Sequence, residues 1–180
     1  VAAKWIAAAI ALLAGAALAK TRSGSEGATA SLLSEGESLL TGYDAIYQQQ
    51  ATAFGVDWRL VKAIAQHESA ENPDAVNASD PSYGLMQVLC TDDGSGGCAN
   101  AFNIAGWPPD AGAQGLLDPA TNVYYGTQIL AANIAAYGVP KGIAVYNSWD
   151  QHTAPAAGPF KNQAYVDDVL SKARALGYST

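Results

Sequence analysis

Strand patterns are scarce along this chain, and most apolar positions after residue 42 fall at helical spacing. A first helix is predicted over 43–54, closed by Gly55. Asp57 can cap a second, which runs to about Ser69, and Pro73 cannot continue it. Residues 77–117 carry many Gly, Asp, Asn and Pro. They predict loops with short helical pieces and room for a small ribbon whose strands the pattern does not place. Asp118-Pro119 marks a helix start, with Asp at the cap and Pro at the first position. That helix is predicted to reach Tyr137, where Gly138 and Pro140 stop it. A short helix around 142–147 and a last one over 163–176 follow. The fold class is mainly α, and no internal repeat is present.

The first forty residues are of another kind. Trp5 to Ala19 reads WIAAAIALLAGAALA, an apolar run bounded by Lys4 and Lys20. Ala17-Leu18-Ala19 before Lys20 fits the cut site of a signal segment. A membrane anchor usually needs about 20 apolar residues, and the two lysines can snorkel to lengthen the run. We read residues 1–20 as a retained N-terminal hydrophobic anchor helix, with a signal segment as the competing reading. Residues 21–40, rich in Ser, Gly, Ala and Glu, read as a flexible linker. Residues 41–178 form the expected domain.

Of the 180 residues 49% are hydrophobic, and part of that excess sits in the first twenty. The net charge is −7 and no basic stripe exists, so nucleic acid is excluded as an expected partner. Cys90 and Cys98 lie close enough in sequence to close a small loop in an oxidising compartment, with two buried thiols as the alternative. No metal or other cofactor is expected. A zinc motif His-Glu-x-x-His beginning at His67-Glu68 would need histidine at 71, where Glu71 stands. Asp92-Asp93-Gly94 lacks the alternating ligands and terminal Glu of a calcium loop.

Glu68 carries the chemistry. Val61, Ile64 and Ala65 precede it by seven, four and three residues, so helical spacing puts all four on one face. The carboxyl is therefore aimed along an apolar stripe, in the last turn, near the negative end of the helix dipole. Desolvation and the dipole both disfavour its ionised form. A carboxylic acid still protonated near neutral pH can protonate a glycosidic oxygen. On periodicity alone, a structural glutamate at a helix end is the better reading.

The surrounding series narrows the choice. Glu68-Ser69 is followed by Asn72-Pro73, Gly84-Leu85-Met86-Gln87, Leu117-Asp118-Pro119 with Asn122, Tyr146-Asn147 and Tyr165-Val166. In that order and spacing the series resembles the soluble lytic transglycosylase family, relatives of goose-type lysozyme, over roughly residues 43–176. The resemblance implies a lysozyme-like fold that cuts peptidoglycan glycan strands, with Glu68 as the catalytic acid and base. It implies that Ser69 orients the glutamate or the substrate, that Met86 packs on a sugar ring and that Gln87 hydrogen-bonds sugar or backbone. Tyr146 and Asn147 would face the glutamate across the cleft, and Tyr165 would close the site behind it. Core packing for Met86 and Tyr165 and a helix cap for Asn147 are the structural alternatives. The chain departs from the family at Ser148-Trp149, and in the acidic Gly-rich insert Thr91 to Gly97 between the cysteines. Gly158 to Val166 (GPFKNQAYV) is similar to transglycosylases attached to conjugation or type IV secretion machines and to phage virions.

Most glycosidases use two carboxylates across the scissile bond. Here Asp80, Asp92, Asp93 and Asp150 fall in loops without motif support. A site with one carboxylate suits a substrate that closes its own 1,6-anhydro ring. The expected reaction is therefore a lytic cleavage of the MurNAc-GlcNAc β-1,4 bond. Hydrolysis, as in a lysozyme, and a non-catalytic peptidoglycan-binding component of a virion or envelope machine are the alternatives. The expected location is the cell envelope on its periplasmic side, anchored to the membrane by residues 1–20, or a virion. Beyond glycan strands, a larger envelope or virion assembly is the expected partner.

Overall fold

The computed structural model describes residues 42–90 and 112–179. The apolar run, the linker, the acidic insert and Cys98 lie outside them. The described residues fall within one compact unit, Leu40–Thr180.

Helix α1, Asp44–Phe54, ends at Gly55, whose left-handed φ of 71° lets its N–H donate to Ala51 O. Helix α2, Trp58–Glu68, starts where the Asp57 side chain accepts the Arg59 N–H at 2.9 Å. Leu60, Val61, Ala63, Ile64 and Ala65 are all buried, on nearly every side of this helix. A helix apolar all round is one that lies inside. It packs against α1, the long helix α4 (Pro119–Tyr137) and the last helix α6 (Gln163–Ala175). Each fully buried Leu, Val or Ile there stabilises the fold by about 1.5–3 kcal/mol. Its one buried charge, Lys62, is paired with Asp44 at the start of α1, as burial of a charge demands.

The small ribbon is three strands of two residues each. Strand β1, Val76–Asn77, pairs antiparallel with β2, Ser82–Tyr83, which pairs antiparallel with β3, Val88–Leu89. Two residues are too few to show alternation, which is why the sequence leaves these strands unplaced. A four-residue helix, α3, spans Gly112–Gly115.

Helix α4, Pro119–Tyr137, has Asp118 as its cap, accepting the Thr121 N–H at 2.8 Å. Gly138 ends it, but no loop follows. Helix α5, Val139–Asn147, begins at once, three residues before the expected start. Pro140 sits in its first turn, where a missing N–H costs nothing. The two helices touch through backbone: a Cβ on Gly142 would lie 2.8 Å from Ile134 N. A short 3-10 turn, Trp149–Thr153, leads toward α6, Gln163–Ala175. Tyr165, Val166, Val169, Leu170 and Ala173 form the buried stripe of α6, which lies on α2. Arg59 Nε adds a bond to Leu176 O at 3.1 Å.

Among the described residues no helix is long and apolar enough to cross a membrane.

Candidate active site

Glu68 is the last residue of α2, so its carboxyl leaves the core just where the helix stops. On α6, Tyr165 is 7% exposed and its hydroxyl donates to Glu68 Oε1 at 2.7 Å. Burial pushes the Glu68 carboxyl above its ordinary value, against the opposing pull of the Tyr165 hydroxyl and the nearby His67. Desolvation wins because the acid is half-buried at the end of a helix that lies inside the core, with little water around its carboxyl.

Opposite stands the segment Gly84–Gln87, held from three helices. Asn122, wholly buried on α4, accepts the Met86 N–H at 2.7 Å and donates to Tyr83 O and Leu116 O. From α5, the Tyr146 hydroxyl donates to Met86 O at 2.8 Å. After α2, Ser69 Oγ donates to Leu85 O at 2.8 Å, with Ala65 O at 3.2 Å. Gln87 has a left-handed backbone, φ 47°, uncommon for a residue with a side chain. Its own amide holds it there, Nε2 donating to Gly84 O at 3.0 Å and Ala75 O at 3.2 Å.

Glu68, Gln87, Tyr146 and Asn147 all line one open cleft of about 440 Å3, with the ribbon residues Asn77 and Ser82 on the other wall. Asn147 is exposed at the end of α5, and its Oδ1 accepts from Asn162 Nδ2 at 2.9 Å. Burial, then the Glu68 charge, push the Tyr146 phenol well up, so it remains a hydrogen-bond donor.

Met86 requires a correction. Its side chain is 0% exposed, packed where a Cβ on Gly126 would meet its sulfur at 2.5 Å, so it cannot lie on a sugar ring. Its backbone serves the site instead. Ser69 and Tyr165 do not line the cleft; Tyr165 bonds to Glu68, which does, and Ser69 holds the backbone of Leu85, two residues before Gln87. Asp80, read as an unsupported loop residue, does line it, so a second carboxylate shares the cleft with Glu68. Ile129 of α4 also reaches the cleft, while its neighbour Leu130 is buried. No local pattern marks Asp80, because the ribbon that carries it is visible only in three dimensions. Asn122 had a signal: asparagine is a poor helix former, so its place inside α4 asks for a side-chain role. Asp150, also unsupported in sequence, pairs with Lys161 and Ser148, which hold its carboxyl down at about 2. Among the described residues no group of three His, Cys, Asp or Glu is placed to hold a metal ion.

The transglycosylase SLT domain family matches residues 45–174. The endo-type membrane-bound lytic murein transglycosylase A of Cronobacter sakazakii is 35% identical over 98 residues, 54% of this chain and 45% of that protein. The membrane-bound lytic murein transglycosylase C of Yersinia enterocolitica is 37% identical over 89 residues, 49% of this chain and 24% of that protein. This chain therefore spans less than half the length of these relatives. Among solved structures, an inactive mutant of the lytic transglycosylase Slt of Pseudomonas aeruginosa superposes with a TM-score of 0.58 at 25% identity, over 74% of this chain and 23% of that one. The soluble lytic transglycosylase SLT70 of Escherichia coli does so with a TM-score of 0.55 at 24% identity, over 73% of this chain and 23% of that one. The second likeness bears on the fold alone.

Proposed function

The chain belongs to the transglycosylase SLT domain family, and from that premise we propose that it cleaves peptidoglycan glycan strands as a lytic transglycosylase. The observation that carries the reading is Glu68, raised above the ordinary carboxyl range by burial and aimed by Tyr165 into an open cleft. Glu68 gives its proton to the oxygen bridging MurNAc and GlcNAc as the C1–O4 bond breaks. The muramyl N-acetyl oxygen stabilises the developing cation. Glu68, now a base, takes the proton of the same sugar's 6-hydroxyl, and the O6–C1 bond closes a 1,6-anhydro ring. No water is consumed. With its Oδ1 held by Asn162, Asn147 stands in the cleft to position the acetamido group. Tyr146 keeps the cleft floor in place through Met86 O.

The test is mass spectrometry of soluble products from sacculi treated with the chain or with Glu68→Gln. Anhydromuramyl products from the parent alone support the reading; intact sacculi with a folded parent refute it.

Asp80 in the same cleft favours a second reading, hydrolysis with Asp80 activating water. Products with reducing ends that carry 18O from labelled water, lost in Asp80→Asn, would establish it in place of the first.

We further propose that residues 1–20 anchor the enzyme in the membrane and 21–40 tether it. It would then open the wall locally on the periplasmic side for a secretion or conjugation machine, or for a virion. The membrane-bound relatives support the anchor. A chain starting at residue 41 should cut sacculi in solution yet fail to serve the machine in cells; full service by that chain refutes the tether. Cys90 is buried at the end of β3, and we propose its disulfide with Cys98, to be checked by mass spectrometry of an unreduced digest.

A further inference from the structure

Two consecutive residues of α2 grip two residues of α6 that lie one turn apart. Glu68 takes the Tyr165 hydroxyl, and His67 Nδ1 meets Asp168 Oδ2 at 2.6 Å. A carboxylate only accepts, so Nδ1 carries the hydrogen. The imidazole also stands edge-on to the Tyr165 ring, centroids 4.5 Å apart at 75°. Asp168 is steadied from behind by Lys172, one turn further along α6. Tyr165 is thus held at its hydroxyl by Glu68 and at its ring by His67, while His67 is itself fixed by Asp168.

We infer that His67 and Asp168 are positioning residues, a clasp between α2 and α6 that holds the Tyr165 hydroxyl on Glu68. This deepens the reading of Glu68 as the acid and rests on it. Neither residue lines the cleft. Both are partly solvent-exposed, so replacing them leaves the core untouched. Among the described residues, the charged and titratable groups around Glu68 and the clasp are His67 on α2, Tyr165, Asp168 and Lys172 on α6, Tyr146 on α5, which senses the Glu68 charge, and Asp80, which shares the cleft from the ribbon.

The clasp and a bare electrostatic effect differ in sign. Removing the Asp168 charge, and freeing the Lys172 ammonium, would by Coulomb's law make Glu68 easier to ionise. Loosening Tyr165 removes a hydrogen bond that favours the carboxylate, and makes it harder. The experiment is carbon NMR of the Glu68 carboxyl in the full chain, assigned by its loss in Glu68→Gln, as pH is varied. Asp168→Ala is expected to move the midpoint upward, by up to about one pH unit. His67→Ala moves it upward on either account, because the imidazole itself favours the carboxylate, so Asp168→Ala is the deciding variant. Asp168→Asn, which keeps an acceptor for Nδ1–H, should sit at or below the parent. In a Tyr165→Phe background the upward shift of Asp168→Ala should be gone, leaving only the downward Coulomb effect. A downward or absent shift in Asp168→Ala overturns the clasp, as does an equal shift with and without the Tyr165 hydroxyl. This readout needs no turnover, so a chain inert on sacculi would sink the enzymatic reading while the titration still judged the clasp.

Discussion

Gly84 lies so close to Asn122 that a Cβ on it would come within 2.4 Å of the Asn122 amide nitrogen and equally near Leu116 O. Its φ of 71° also belongs to the region that side chains avoid. Both facts let the cleft segment lie flat against α4, where Asn122 bonds to Met86 N, Tyr83 O and Leu116 O.

Gly84→Ala is therefore expected to cost about 2–4 kcal/mol, since the clash is partly with backbone that cannot swing away. Asn122→Ala leaves buried backbone groups unpaired, at about 1–3 kcal/mol for each one that water cannot reach. Urea denaturation checks both. A midpoint within error of the parent for Asn122→Ala would show that the three bonds do not hold the segment.

Glu68 should lower stability at neutral pH. In acid the folded and unfolded carboxyls both keep their protons and nothing is lost. As pH rises, the unfolded chain releases its proton first, because the folded value is raised. Stability then falls until pH passes the folded value. Glu68→Gln keeps an acceptor for Tyr165 and never ionises. Its Tm should match the parent in acid and exceed it at neutral pH. Equal Tm at both would mean that the carboxyl is not desolvated.

Tyr165→Phe removes the hydroxyl that favours the Glu68 carboxylate, so burial is opposed by His67 alone and the acid titrates higher. The alkaline limb of the pH–rate profile, where the acid loses its proton, is expected to move to higher pH. The carboxyl also loses its aim, and kcat should drop by about tenfold. A profile identical to the parent would separate Tyr165 from the proposed chemistry.

Asp118→Ala removes the cap of α4, and about 1 kcal/mol should go with it. The Thr121 N–H holds the Asp118 carboxyl below its ordinary value. That stability is present above the unfolded carboxyl's pKa and is lost as pH falls through the folded one. The difference between parent and variant should therefore shrink in strong acid, which thermal melts at several pH values would show.

The sequence by itself determined the helices and the place of Glu68 at the end of one of them. Asp57, Asp118-Pro119 and Gly55 are local signals, because caps and left-handed ends depend on residues within one turn. Glu68 could be singled out because helical spacing placed it on the apolar stripe of Val61, Ile64 and Ala65. The ordered series after it carried the family. What the tertiary structure alone decided is how side chains meet across the fold. The ribbon is too short for periodicity, so Asp80 reached the cleft unannounced. Met86 carries no mark that says core or cleft, and only the approach of Gly126 buried it. The join of α4 to α5 turned a stop signal into a shared cap, because Pro140 suits a first turn as well as a break. The Tyr165 bond to Glu68 spans 97 residues, and no local rule reaches that far.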